Sequence, residues 1–173
     1  MWRFLQAVRP VLARLSRLSL YISGLGLVTM TAIVGWQVFA RYVLNDTPSW
    51  SEPLSLHLMS WFILLGAAVG VRESVHLGLD FVRHSASPAT QRLMDIVSLS
   101  LIVLFGLAMS FYSTLLAAGT WAATIPVLGW PGGVDFFPMI AGGLLIALFA
   151  AERLADVVLG EAPVADVVIQ EAA

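Results

Sequence analysis

The chemistry open to this chain is concentrated in a few residues. His76, Asp80 and His84 fall at i, i+4 and i+8, a spacing that would line up three metal ligands on an unbroken helix. Gly78 and the following Ser-Ala-Ser-Pro argue against an unbroken helix there, so a structured connection is the expectation. His57 has no second histidine at its depth, which disfavours a haem held between two histidines and leaves an interfacial hydrogen-bonding role. The sequence "GLGLVT" from Gly24 lies inside an apolar run and lacks the third glycine of a dinucleotide fingerprint. Ser and Thr are scattered without a neighbouring base to activate them. With no cysteine in the chain, thiolate metal sites and disulfides are excluded. No cofactor, metal, catalytic residue or nucleic-acid partner is expected.

The elements that must hold these residues are membrane spans. The chain has 173 residues, of which 59% are hydrophobic and 12% charged, and its mean hydropathy is +0.88. So little polar surface cannot cover a water-soluble core. Four apolar runs, at about 18–40, 54–71, 93–121 and 136–154, approach or exceed the roughly 20 residues a helix needs to cross the hydrocarbon. None shows the period-two alternation of a barrel strand. The expectation is an all-α integral membrane protein with a four-helix domain over 18–158. No Asp, Glu or Arg lies near the middle of a span, which argues against a self-sufficient ion-coupled transporter.

The basic residues are all arginine, and only Arg41 falls on the side of the 42–53 and 122–135 loops. The positive-inside rule therefore predicts that both termini are cytoplasmic and that these two loops face outward. Within 1–17, Phe4, Leu5, Val8, Val11, Leu12 and Leu15 share one helical face, and Arg3, Gln6, Arg9, Arg14 and Arg17 share the other. That pattern predicts an amphipathic helix on the membrane surface, in contact with lipid headgroups and bent or interrupted at Pro10. It is not read as a signal peptide, because the apolar run after it is too long. The end, 159–173, is a short acidic cytoplasmic tail.

Between spans one and two the chain reads "FARYVLNDTPSWSEPL". Arg41 can snorkel to headgroups, Asp46-Thr47-Pro48 is turn chemistry, and Trp50 suits the interface. Ser49 with Glu52 at N3 fits a capping box; Ser51 as N-cap would instead place Pro53 within the first turn. Gly66 and Gly70 form a GxxxG pair, and Gly143, Ala147, Ala151 and Ala155 continue a small-residue series, both suited to close helix packing.

Several of these pieces together resemble a known family. Arg41-Tyr42, Trp50-Ser51-Glu52, Leu65-Gly66-Ala67-Ala68, Arg72-Glu73, His76-x-Gly78-x-Asp80 and the "IPVLGWP" loop with Pro126, Gly129 and Pro131 occur in order across the chain. They resemble the small membrane subunit, of DctQ type, of tripartite ATP-independent periplasmic (TRAP) transporters. The resemblance implies a bacterial inner-membrane scaffold without catalytic activity. Its partners would be a large membrane subunit of DctM type, which couples a small organic acid to sodium, and a periplasmic substrate-binding protein. Arg41, Trp50, Ser51, Glu52, Gly66, Gly70, Arg72, His76, Asp80, Pro126, Gly129 and Pro131 would then be structural or subunit-interface residues. The chain departs from many relatives at Pro53, where a second acidic residue is common, so Glu52 would act alone. A redox-enzyme membrane anchor using His57, and an independent four-helix channel or exporter, are the competing expectations.

Overall fold

The computed structural model describes residues 2–73 and 88–159, with side chains over 8–73 and 89–159. Among them are four long helices: α1 (Trp2–Phe39), α2 (Ser51–Arg72), α3 (Pro88–Gly119) and α4 (Phe137–Leu159). Each is long and apolar enough to cross a membrane. A π-helical turn, Ala40–Leu44, ends α1, and a 3-10 turn, Gly132–Phe136, leads into α4. No strand occurs among the described residues.

The helices form a row rather than a closed bundle. α1 packs along α2, α2 along α4, and α4 along α3; α1 only brushes α4. The last helix in sequence therefore lies inside the row, between α2 and α3. Buried positions accordingly fall on two flanks of α4, Gly142, Ile146 and Phe149 among them, whereas α1 and α3 are exposed along most of their length.

The closest contacts are made by small residues. On α1 and the π-helical turn that ends it, the residues turned inward are Leu12, Ser16, Ser19, Ser23, Gly26, Met30, Ile33, Gln37 and Ala40. Steps alternating four and three keep such a set on one side over many turns, the spacing of shallow, left-handed packing. The Ser23 hydroxyl donates to the Phe62 carbonyl at 2.7 Å, and a Cβ on Gly66 would stand 3.2 Å from Ser23 Oγ. Between α3 and α4 a Cβ on Gly106 would stand 2.7 Å from the Gly143 carbonyl oxygen. Between α2 and α4 one on Gly142 would stand 2.7 Å from Leu64 Cβ. In lipid, where apolar burial does not drive helices together, such close approach is what holds them.

Two expectations change. Residues 1–17 and 18–40 are not separate elements: α1 runs unbroken through Pro10. The proline forgoes the bond its missing N–H would give to the Gln6 carbonyl and crowds that carbonyl, yet the helix continues through it. Part of the apolar face read as turned toward lipid packs on protein instead. Leu12 is buried with Ala68, Ile146 and Phe149, and Val8, Leu15 and Val71 pack against that cluster. Of the small-residue series, Gly66, Gly143 and Ala147 lie at helix contacts, but Gly70 has open space above it and Ala151 is exposed.

Candidate functional site

Polar side chains gather at the two ends of the row. The first cluster lies at the end where α1 begins and α4 finishes, and α4 organises it. Arg72 of α2 donates from Nε to Glu152 Oε2 at 3.0 Å and from Nη2 to Oε1 at 3.5 Å. The Glu152 side chain is only 3% exposed and that of Arg72 15%, so the pair is largely shielded from water. The Arg72 guanidinium also lies 5.8 Å from the centre of the Phe149 ring, a cation–π contact. One turn further along α4, Asp156 is buried and accepts from Arg9 of α1 at 2.5 Å.

Two more arginines close helix ends. Arg153 donates to the Val71 carbonyl at 2.9 Å, and Arg92 of α3 donates to the Val158 carbonyl at 2.8 Å. Each carbonyl belongs to the last turn of its helix, where no intrahelical donor remains and the helix dipole is negative. The layer thus ties all four helices together. Arg72 was a motif residue in the sequence; Glu152 and Asp156 were not singled out. Their signal was the i, i+4 pair of acids ending an otherwise apolar helix.

The second cluster lies at the hairpin end. The helical run from α1 stops at Asn45, whose N–H reaches the Ala40 carbonyl and whose left-handed backbone (φ 54°) turns the Asp46 N–H to the same carbonyl at 3.2 Å. Ser51 begins α2, but neither serine caps it. The N-cap position is Trp50 without a side-chain bond, and the fully buried Ser51 hydroxyl donates to the Pro48 carbonyl at 2.7 Å. The expected capping box is therefore absent: Ser51 closes the preceding turn instead. Pro53 stays within the first turn, where its missing N–H costs nothing. Glu52 is exposed beside the positive end of the helix dipole. Arg41 is exposed 6.0 Å from the Tyr42 ring, and neither Arg41 nor Glu52 makes an ion pair among the described residues.

His57, expected to be a hydrogen-bonding residue, is one. The Trp61 indole N–H can only donate, and it points at His57 Nε2 at 3.1 Å. The ring proton therefore sits on Nδ1 and is given to Asp135 Oδ1 at 3.2 Å. The Trp130 ring meets His57 edge-on at 5.9 Å. This chain of bonds ties α2 to the 3-10 turn before α4. Pro53, Leu56, His57, Ser60, Ile125 and Asp135 line a cavity of about 270 Å³ beside it. No hydrolytic triad results, because Ser60 donates to the Leu56 carbonyl and both histidine nitrogens are engaged.

The loop from Ile125 to Pro131 is folded on itself. Ile125 N–H donates to the Trp130 carbonyl at 2.8 Å and Gly129 N–H to the Ile125 carbonyl at 3.0 Å. Leu128 N–H reaches back to the Pro126 carbonyl around Val127, whose φ of 72° marks the rare γ-turn that strains a β-branched residue. Gly129 has φ 70°, a conformation glycine accepts freely. Pro131 bridges to Thr124, and the next two glycines lie against the end of α3. Pro126, Gly129 and Pro131 thus shape one compact loop. His76 and Asp80 lie outside the described residues. Among the described residues no three His, Asp or Glu side chains are grouped to hold a metal.

Comparison with known proteins agrees with this architecture. Residues 30–160 match the family model for the DctQ component of tripartite ATP-independent periplasmic transporters. A sialic acid TRAP transporter small permease protein of Vibrio cholerae is 32% identical over 45% of this chain and 44% of its own. A C4-dicarboxylate TRAP transporter small permease protein of Pseudomonas aeruginosa is 34% identical over 50% of this chain and 39% of its own. The chain thus matches less than half the length of these two relatives. A putative TRAP transporter small permease protein of Haemophilus influenzae is 24% identical over 74% of this chain and 80% of its own.

Proposed function

The chain belongs to the DctQ family of TRAP transporter small permease subunits, and from that premise we propose that it is a noncatalytic scaffold. In this reading it braces a large membrane subunit of DctM type. That subunit moves a small organic acid with sodium, and a periplasmic binding protein delivers the acid. The related proteins are named for sialic acid and C4-dicarboxylates, both carboxylates, which supports the substrate class.

The observation that carries the scaffold role is where the buried charge lies. Ion-carrying proteins place ionisable groups partway across the membrane. Here the buried carboxylates Glu152 and Asp156 sit at a helix end, each held by an arginine of another helix. The layer is built to fix helices in place. A haem-anchor role for His57 is disfavoured, because both ring nitrogens are already bonded within the chain. The arginine-rich end, where α1 begins and α4 finishes, would lie in the cytoplasm and the hairpin end in the periplasm, in the bacterial inner membrane.

Co-purification and reconstitution test the proposal. The chain should retain a large multi-span subunit in mild detergent, and liposomes containing this chain alone should show no sodium-driven uptake. Robust uptake by the chain alone would sink the scaffold role. Glu52 makes no ion pair among the described residues, so Glu52→Ala should lower recovery of the large subunit while leaving the small one folded. Unchanged recovery would confine Glu52 to the start of α2.

A further inference from the structure

At the end where α1 begins and α4 finishes, the arginines of described surroundings divide into two groups. Arg9, Arg72, Arg92 and Arg153 each donate to a carboxylate or carbonyl of another helix. Arg14 and Arg17 are exposed on α1, and neither makes an ion pair or side-chain hydrogen bond among the described residues. They stand on the flank of α1 turned away from α2. Steps of three and four residues continue the same stripe through Tyr21 and Val28, which are 74% and 66% exposed, with Leu18 and Leu25 beside them.

The height of the pair follows from the helix. From Arg17 to Arg41 the chain rises about 36 Å, at about 1.5 Å per residue. The hydrocarbon core is about 30 Å thick. With Arg41 among the headgroups at one face, Arg17 reaches those at the other, and Arg14 lies about 4.5 Å further out. The stripe is therefore cationic at headgroup depth and apolar from there inward. That is the profile of a single phospholipid, phosphate first and acyl chains below.

We propose that Arg14 and Arg17 form a seat for an anionic phospholipid, with its acyl chains lying along Leu18, Tyr21, Leu25 and Val28. Two guanidinium groups less than a turn apart can both donate to phosphate oxygens. Net charge then favours phosphatidylglycerol over phosphatidylcholine, whose ammonium cancels its phosphate. Free phosphate would meet the arginines but gain nothing from the apolar stripe. The seat does not depend on which molecules the assembled transporter moves.

Native mass spectrometry of the full-length chain, alone and with any large subunit that co-purifies, tests this. Samples are titrated with phosphatidylglycerol or phosphatidylcholine of identical acyl chains. Each arginine near an anionic surface is worth about fivefold in binding, so phosphatidylglycerol should be favoured by roughly twenty-fivefold. Arg14→Gln with Arg17→Gln should abolish that preference at an unchanged thermal midpoint. Arg14→Lys with Arg17→Lys, and separately Arg41→Gln, should keep it. The proposal is overturned by equal retention of both lipids, by a preference that survives the glutamine pair, or by its loss in the lysine pair. It is also overturned if glycerol phosphate competes as well as the whole lipid, or if the large subunit excludes the lipid, which would make the flank a protein interface.

Discussion

At the scale of single residues, Glu152 has the strongest energetic argument. Its carboxylate is withdrawn from water and balanced only because Arg72 reaches it through two donors while resting against Phe149. Removing one member of such a pair leaves a buried charge unmatched, at a cost of about 3–5 kcal/mol; replacing both with apolar groups of similar size is near neutral. Glu152→Ala should therefore lower the thermal midpoint in detergent sharply. The double variant Arg72→Met with Glu152→Leu should recover most of the loss. Additive losses would mean that the two side chains stabilise the fold independently. The sequence pointed to Arg72 but not to its partner. The two lie 80 positions apart, and an acid at the end of an apolar run reads equally well as the point where a helix leaves the membrane. Ser51 failed as a cap for a related reason: the preceding turn makes Trp50 the N-cap, so Ser51 is already the first helical residue and its hydroxyl donates back to the Pro48 carbonyl, a placement that local motif matching does not weigh. His57 was legible because a histidine at an interface, with no second histidine at its depth, has few other roles.

At the scale of elements, the four spans were legible from length and apolarity, but the surfaces on which they meet were only partly so. Gly66 was found through its spacing from Gly70, yet only Gly66 faces another helix. Gly106 was missed, although Gly106 and Ser110 repeat the same four-residue step on α3. A Cβ on Gly143 would stand 2.9 Å from Ser110 N. The two kinds of glycine should respond oppositely to a single methyl group. Gly106→Ala must push α3 away from the α4 backbone, and overpacking of this kind costs about 1–3 kcal/mol. Gly70→Ala meets nothing within 4 Å and should be neutral or stabilise by about 0.5–1 kcal/mol, the usual preference for alanine within a helix. Thermal midpoints of the two variants in one detergent decide this; equal shifts would remove Gly106 from the packing argument.

At the scale of the whole molecule, the row could not have been read from the chain. A span that is apolar on all sides does not say which side meets protein and which meets lipid. Neighbours in sequence pair for α1 with α2 and α3 with α4, but the contact joining the pairs skips a helix. This connectivity has a consequence for biogenesis. As the chain leaves the ribosome, α1 and α2 can pair as soon as both are inserted. α3 enters the bilayer with no adjoining helix and waits for α4. Because the chain lacks cysteine, an engineered disulfide can report on the first pair without background. With Ser23→Cys and Gly66→Cys, a chain stopped after Thr120 should cross-link as readily as the full chain. Failure in the shorter chain would show that the first hairpin needs α4 as well. Until translation finishes, Arg72 has no Glu152 and Asp156 does not yet exist to hold Arg9, so the final helix delivers both acids and locks a set of arginines already in place.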